Sequence, residues 1–180
     1  VYDLPKLPLV IPAVCVGDET RMEARPDWGN GQAGSLRWST NDGDTGSGVQ
    51  FVKRFANAGI YSVRCTAVSV EGCRTTAEAK AKVDASPRAS FTFTPEVNGI
   101  DTPFSFINTS TGASSWIWNP EPGIWEYSRD LVYAFPLGGY KRVLLVAVSD
   151  SGCRDTAEQI LFVREWIKFH IPDAFTPNRD

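Results

Sequence analysis

The sequence predicts an all-β protein of two tandem β-sandwiches in an elongated arrangement, and three observations support this fold class. The 180-residue chain matches itself at a spacing of 80 residues, without a gap, from Trp38 to Val83. Short segments such as 89–93 alternate apolar with small polar residues, which is the period of a half-buried β-strand. No segment holds a convincing 3.6-residue apolar period, so helices are not expected.

The repeat matches aromatic, glycine and alternating apolar positions, which rarely coincide by chance over such a length. These matches predict a first sandwich over residues 1–83, a linker over 84–88, a second sandwich over 89–164 and a connector over 165–180. Pro87 stiffens the short linker and so favours the elongated arrangement. The matched residues include Trp38 with Trp118, Phe55 with Phe135, Gly59 with Gly139, Val63 with Val143, and Gly72-Cys73-Arg74 with Gly152-Cys153-Arg154.

Each strand of the second sandwich is placed by its alternation and by the turn residues beside it. The spacing predicts about seven antiparallel strands per domain. The first domain repeats the pattern and adds a glycine-rich loop at 28–32, which is expected to project. Glycine, asparagine and proline mark the turns, as in Asn98-Gly99 and Ser151-Gly152. Strands are expected at 89–93, 104–106, 116–118, 131–133, 143–148 and 156–163.

Composition argues against several classes of partner. The formal net charge is −3, and no run of Lys and Arg is longer than a pair, so nucleic acid is not an expected partner. The longest apolar stretches, such as Val143 to Val148, are too short to span a bilayer. Val1 does not begin a signal peptide, and we expect the chain to be a piece of a longer protein.

The residues after the first core tryptophan resemble a known domain family. The segment Trp38-Ser39-Thr40-Asn41-Asp42-Gly43-Asp44, followed by Phe55, Gly59-Ile60-Tyr61-Ser62-Val63 and Gly72-Cys73, resembles the polycystic-kidney-disease (PKD) repeat. That family has an immunoglobulin-like sandwich fold. The second domain resembles it more weakly, because Asn119-Pro120-Glu121-Pro122-Gly123 stands in place of the acidic glycine turn. The resemblance implies two PKD-type domains and says little about activity.

The end of the chain resembles a second family. The segment from Phe169 to Asp180 is similar to the opening of the C-terminal sorting domain of gliding-motility-associated and other type IX secretion cargo. The resemblance implies export through the outer membrane by the type IX machinery of a Bacteroidota-type bacterium, and a cell-surface or extracellular location. A plain linker is the alternative. Thr156, in Asp155-Thr156-Ala157, resembles an O-glycosylation acceptor of such bacteria, and an ordinary strand residue is the alternative there.

The four cysteines cannot all pair within one domain, because only Cys153 lies in the second. Cys65 falls on the inward side of its strand, so we expect it to be buried and reduced. In an immunoglobulin-like sandwich the turn after Cys15 and the hairpin before Cys73 lie at opposite ends, too far apart for a disulfide. If a bond forms in an oxidising compartment, we therefore expect it between Cys15 and Cys153.

Catalytic and metal-binding chemistry find little support. The only histidine, His170, lies in the C-terminal connector without a recognisable serine or cysteine nucleophile motif nearby. The cysteines lack the paired spacing of a zinc site. Asn41, Asp42 and Asp44 offer oxygen ligands suited to calcium, although the same run is an ordinary tight turn. We expect no enzyme activity and no cofactor, with calcium as the sole candidate ion.

Three tryptophans, Trp28, Trp116 and Trp125, are least explained by the strand pattern, whereas Trp38 and Trp118 are assigned to the two cores. Exposed tryptophans stack on sugar rings or anchor protein partners, so these three are candidate ligand contacts. Packing against a core or a loop is the alternative.

Two functions fit these observations. The first is a non-enzymatic, cell-surface or secreted stalk and adhesion module of a type IX secretion cargo protein, with a surface protein or glycan as its ligand. The alternative is a carbohydrate-binding accessory module of a secreted polysaccharide-degrading enzyme. Retention on a polysaccharide column that depends on Trp28 or Trp125 would favour the alternative.

Overall fold

The computed structural model describes residues 3–165, and every regular element within that range is a β-strand. The all-β fold class is therefore as predicted. The first domain contains β1 (Leu9–Val10), β2 (Val14–Cys15), β3 (Glu19–Ala24), β4 (Ser35–Thr40), β5 (Thr45–Ser47), β6 (Gln50–Arg54), β7 (Gly59–Val68) and β8 (Arg74–Asp84). The second contains β9 (Phe91–Thr94), β10 (Val97–Gly99), β11 (Pro103–Asn108), β12 (Ser115–Asn119), β13 (Leu131–Ala134), β14 (Gly139–Val148) and β15 (Arg154–Arg164).

Two sheets form the first domain. One contains β1, β3 and β6, and the other has the strand order β2-β8-β7-β4-β5. Because side chains alternate between the faces of a strand, the inward residues of the two sheets meet in one core. Trp38 and Cys65 are buried there, as predicted, together with Met22 and Phe55.

The second domain repeats this plan with sheets of order β13-β11-β9 and β10-β15-β14-β12. Trp118 is buried at its centre, as predicted, with its ring centroid 5.1 Å from that of Phe91. The indole N–H of Trp38 donates to the carbonyl of Gly48 at 2.8 Å, and that of Trp118 donates to Ser128 at 3.1 Å. Both core tryptophans therefore satisfy their polar group in equivalent ways.

One strand in each domain departs from the expected antiparallel pairing. β2 runs parallel to the end of β8, and β10 runs parallel to β15. A proline precedes each of them, Pro12 and Pro95, and proline lacks the backbone donor that a continuous strand would use. The chain leaves one sheet at these points and joins the other. The turn expected at Asn98-Gly99 is wrong, because both residues belong to β10 and the turn follows it, with Asp101 at φ 54°.

The hairpin before β15 groups with the first compact unit and not with the second. Val148–Arg154 belongs to the first compact unit, and the domain bounds expected at 83, 89 and 164 stay a prediction. The reason lies in Cys153, which is bonded to Cys15 and whose Sγ lies 4.0 Å from the Asp84 carbonyl oxygen. The chain otherwise passes from the first unit to the second after Pro87.

Candidate functional site

The acidic turn at residues 41–44, the candidate calcium site, connects β4 with β5. The hydroxyl of Thr40 donates to Asp42 Oδ1 at 2.5 Å. Asn41 Oδ1 accepts a hydrogen bond from the backbone N–H of Ser62 at 3.1 Å. The chain itself therefore uses part of the oxygen set that calcium would need.

Lys53, on β6, brings an ammonium group into this turn. Its Nζ lies 2.8 Å from Asp42 Oδ2 and also pairs with Asp44 Oδ2. The lysine side chain is only 5% exposed, and its Nζ lies 5.0 Å from the ring centroid of Phe55. A calcium ion bound by these two carboxylates would have to displace Lys53. Within residues 3–165 no group of three or more His, Cys, Asp or Glu side chains is arranged to hold a metal ion.

The electrostatics of the turn favour the ionised pair. Burial alone would lower the pKa of Lys53, but its hydrogen bonds to Asp42 and Asp44 and their charges raise that pKa above its ordinary value. Partial burial alone would raise the pKa of Asp42, but hydrogen bonds from Lys53 and Thr40 and the charge of Lys53 hold it below its ordinary value. Both shifts favour the charged forms. The arrangement is suited to fixing the turn and not to proton transfer near neutral pH.

The second domain also pairs a lysine with a carboxylate, but its lysine and tyrosine occupy each other's positions in the repeat. Tyr133 stands 80 residues after Lys53, and Lys141 stands 80 residues after Tyr61. Lys141 Nζ pairs with Glu121 Oε1 at 3.0 Å, and the hydroxyl of Tyr133 donates to Glu121 Oε2 at 2.9 Å. Burial, then the hydrogen bond to Glu121 and its charge, raise the pKa of Tyr133. Sequence analysis missed these two lysine–carboxylate pairs because the repeat does not align the lysines with each other.

Two of the four cysteines are joined in the structure. Cys15 and Cys153 form a disulfide, with a Cα–Cα distance of 5.7 Å, and this is the pair selected from topology. That the bond forms in the purified protein stays a prediction. Cys65 is free and fully buried, as expected, and burial raises the pKa of its thiol to about 11. Cys73 is free and partly exposed.

Equivalent hairpins hold Cys73 and Cys153. The backbone N–H of Cys73 donates to Ser69 Oγ at 3.2 Å, and that of Cys153 donates to Ser149 Oγ at 3.1 Å. In both hairpins the serine N–H donates to the cysteine carbonyl at 2.9 Å. These two hydroxyl groups therefore position backbone atoms and are not arranged as nucleophiles.

The three candidate tryptophans lie in different environments. Trp28 packs against the first core and Trp116 against the second, and both are half-buried. The loop at 28–32, expected to project, is thus tied to the core by Trp28. The guanidinium of Arg129 lies 5.9 Å from the ring centroid of Trp116. Trp125, between β12 and β13, is 55% exposed and is the one best placed to contact a ligand.

The second domain also exposes two tyrosines that sequence analysis missed. Tyr127 lies two residues after Trp125, and Tyr140 is 81% exposed at the start of β14. Tyr140 lines a shallow depression with Arg142 and Leu144, and its ring centroid lies 5.1 Å from that of Phe162. Alternation along β14 could have identified Tyr140 as exposed, because it lies an even number of positions from the outward residues of its strand.

The outward faces of the two larger sheets differ in chemistry at several positions of the repeat. Most inward positions are apolar in both domains. At five outward positions a polar or charged residue of the first domain is replaced by an apolar one in the second. The replacements are Arg37 to Ile117, Arg64 to Leu144, Thr66 to Val146, Lys80 to Ile160, and Lys82 to Phe162.

The remaining expectations concern Thr156 and the end of the chain. Thr156 is exposed on β15, as an O-glycosylation acceptor would have to be. Its neighbour Asp155 accepts a hydrogen bond from the backbone N–H of Ala89 at 2.8 Å. His170 and the segment 169–180 lie outside the described residues.

Comparison with known families connects this architecture to a named domain. The fold is that of tandem immunoglobulin-like β-sandwiches. Residues 5–83, the first domain, match the family model of the PKD domain, as the resemblance implied. The second domain lies outside that match. No curated protein matches the chain, and the structure contains no helix, in the part it describes, long and apolar enough to cross a membrane.

Several solved structures are similar to this chain. The PKD1 domain of Vibrio anguillarum Epp is 20% identical, with 44% of this chain and 95% of that chain covered and a TM-score of 0.40. The PKD1 domain of the Vibrio cholerae metalloprotease PrtV is 24% identical, with coverage of 43% and 96% and a TM-score of 0.39. The fibronectin(III)-like modules of Clostridium thermocellum CbhA are 13% identical, with coverage of 91% and 97% and a TM-score of 0.47.

Proposed function

We infer that this chain is a non-enzymatic stalk and adhesion module of a cell-surface or secreted protein. The β-sandwich architecture and the PKD match of residues 5–83 support this class of function. The polar side chains singled out above support it too, because Lys53, Ser69 and Ser149 serve turns and hairpins and not a nucleophile–base pair.

The contrast between the two outward sheet faces carries this proposal. Both domains keep a buried tryptophan with the same hydrogen bond, whereas five of their outward positions change from polar or charged to apolar. On the second domain Ile160 is 63% exposed and Phe162 is 41% exposed. Exposed apolar surface of this kind marks contact sites on soluble proteins. A constant framework with a changing surface suits a module that makes contacts through its outward faces.

Export by the type IX machinery completes the proposal. The disulfide between Cys15 and Cys153 fits an oxidising compartment outside the cytoplasm. The segment 169–180, which resembles a type IX sorting domain, supplies the proposed route and the proposed partner.

Binding of the whole chain to intact bacterial cells tests the adhesive function. We expect fluorescently labelled chain to bind saturably, and the double variant Ile160→Ser/Phe162→Ser to bind at least about tenfold more weakly, because it removes apolar contact area. Val132→Ser is the matched control, since Val132 is exposed on the other sheet of the same domain. Equal binding by all variants would contradict the proposal, as would turnover of an ester, glycoside or peptide substrate that a single substitution abolishes.

A second candidate function is that of a carbohydrate-binding accessory module of a polysaccharide-degrading enzyme. The observation that favours it is the exposure of three aromatic residues, Trp125, Tyr127 and Tyr140, on one domain. Tyrosine and tryptophan present an apolar ring together with a polar group, which suits contact with sugars. Loss of retention on a neutral polysaccharide column in Trp125→Ala and Tyr140→Ala, but not in Val132→Ala, would support this function. Retention that is the same for every variant would count against it.

A further inference from the structure

The outward residues of β4, β7 and β8 in the first domain form a surface that we call the basic face. In the sheet register Arg37 is paired with Thr66 and Thr66 with Thr76, so all three side chains point to the same side. Val68 is paired with Arg74 in the neighbouring row of the same face. The cationic residues of the basic face are Arg37, Arg64, Arg74, Lys80 and Lys82, and all of them are exposed.

Charge on the basic face is only partly compensated. Glu78 pairs with Arg64, whose Nε donates to Glu78 Oε1 at 2.8 Å, and Asp84 pairs with Lys82 at 2.7 Å. The ion pairs among the described residues do not include Arg37, Arg74 or Lys80. A chain with a formal net charge of −3 therefore concentrates unpaired positive charge on one sheet face.

Two of the unpaired arginines share one shallow depression. Its lining includes Arg37, Arg74, Ser39, Ser47 and Thr66. Guanidinium groups bind carboxylate and sulfate groups through paired hydrogen bonds, and the surrounding hydroxyl groups both donate and accept. The depression thus combines anion-binding groups with groups that suit a hydroxyl-rich ligand.

The basic face lacks the features that other polyanions or neutral sugars need. The outward positions of β4, β7 and β8 include no aromatic residue on which a base or a neutral sugar would stack. A five-stranded sheet face is too wide to enter the groove of a nucleic-acid duplex. Ionic contacts and hydroxyl contacts remain as the available chemistry.

We propose that the basic face binds an extended acidic polysaccharide whose carboxylate groups contact Arg37 and Arg74. The inference rests on the proposed adhesive function and names a ligand class for its first domain. The second domain provides an internal comparison, because Ile117 and Ile160 replace Arg37 and Lys80 there.

Binding of the whole 180-residue chain to polygalacturonate, measured by isothermal titration calorimetry, tests the proposal. We expect Arg37→Gln/Arg74→Gln to weaken binding at least about tenfold, since it removes two charge-assisted contacts. The matched control is Arg21→Gln/Arg25→Gln, which removes the same charge from two exposed arginines paired with Glu19 and Glu23, and it is expected to change the affinity less than about twofold. Raising the salt concentration should weaken binding by the wild-type chain.

Any of several outcomes would overturn the proposal. They are equal binding to fully methyl-esterified polygalacturonate, equal weakening by the two double variants, and tighter binding to single-stranded or duplex DNA than to polygalacturonate. Absence of polygalacturonate binding would also overturn it, while saturable cell binding that depends on Ile160 and Phe162 would leave the adhesive function standing. Failure of both measurements would remove the adhesive function as well.

Discussion

Lys53 and Lys141 occupy different positions of the 80-residue repeat, yet each sets its ammonium group over the equivalent buried phenylalanine. Lys53 Nζ lies 5.0 Å from the ring centroid of Phe55, and Lys141 Nζ lies 5.7 Å from that of Phe135. Each ammonium also pairs with a carboxylate of the segment that follows the tryptophan strand. The phenylalanine ring and the carboxylate therefore define where the ammonium group lies. The lysine comes from β6 in the first domain and from β14 in the second.

Replacement of Lys53 by methionine is expected to destabilise the first domain. The substitution keeps the length of the side chain but leaves Asp42 and Asp44 without their cation, which should lower the free energy of unfolding by about 1–3 kcal/mol. Chemical denaturation measures this change. Lys80→Met is the control, because Lys80 is exposed on β8, and it should change stability by less than about 0.5 kcal/mol. Equal effects of the two substitutions would contradict a structural role for Lys53.

The same pair predicts the response to acid. The pKa of Asp42 is lowered in the folded protein, so its ionised form stabilises the fold above its ordinary pKa. That contribution is lost as the pH falls through the lowered value, below about pH 4. The free energy of unfolding of the wild-type chain should therefore fall more steeply below pH 4 than that of Lys53→Met. Parallel pH profiles would mean that Lys53 does not hold the pKa of Asp42 down.

Calcium is expected to have no effect on the wild-type first domain, because the ammonium group of Lys53 already pairs with both Asp42 and Asp44. Thermal unfolding with calcium and with a chelator should give the same midpoint. A calcium-dependent increase that Asp42→Asn/Asp44→Asn abolishes would restore these residues as an ion site. The Lys53→Met variant, measured in the same way, reports whether the turn binds calcium once the ammonium is gone.

Under oxidising conditions we expect one disulfide, between Cys15 and Cys153. The bond joins residues separated by 138 positions, and chain-entropy models allow up to about 5 kcal/mol for a loop of that length. Cys153→Ser should lower stability, whereas Cys73→Ser, at the equivalent position of the repeat, should change it little. Non-reducing peptide mapping decides the pairing, and a Cys15–Cys73 peptide or four free thiols would exclude it.

Cys65 is expected to resist alkylation. Burial raises the pKa of its thiol to about 11, so almost no thiolate is present at pH 8. Iodoacetamide should label the partly exposed Cys73 first and reach Cys65 only in denaturant. Mass spectrometry of the labelled peptides checks this order, and rapid labelling of Cys65 in the native protein would show that the first core opens readily.

Alternation along strands made most of the fold predictable from the sequence. Most inward positions are apolar in both copies, so Trp38 and Trp118 were assigned to the cores correctly, and Cys65 followed from its parity on β7. The expectation that Cys15 pairs with Cys153 came from the predicted ends of the strands. These features depend on burial, which leaves a periodic signal in the sequence.

Other features depend on pairings that leave no such signal. The parallel pairing of β2 and β10 arises where proline interrupts a strand, and the sequence alone marks the interruption but not the partner. The sequence alone does not show that the ammonium group of Lys53 pairs with Asp42. The repeat also does not show that Lys53 and Lys141 have equivalent contacts, because it aligns each of these lysines with a tyrosine.

Because inward and outward residues alternate along each strand, the outward side chains of the two larger sheets can be exchanged without changing either core. Exchanging Arg37, Arg64, Lys80 and Lys82 with Ile117, Leu144, Ile160 and Phe162 alters side chains that point away from either core. Because the pleat alternates strictly, such a transplant leaves the packing layer untouched. We therefore expect ligand preference in this kind of chain to be portable from domain to domain, so that a tandem array could present a different chemistry on each member while its foldability stays the same.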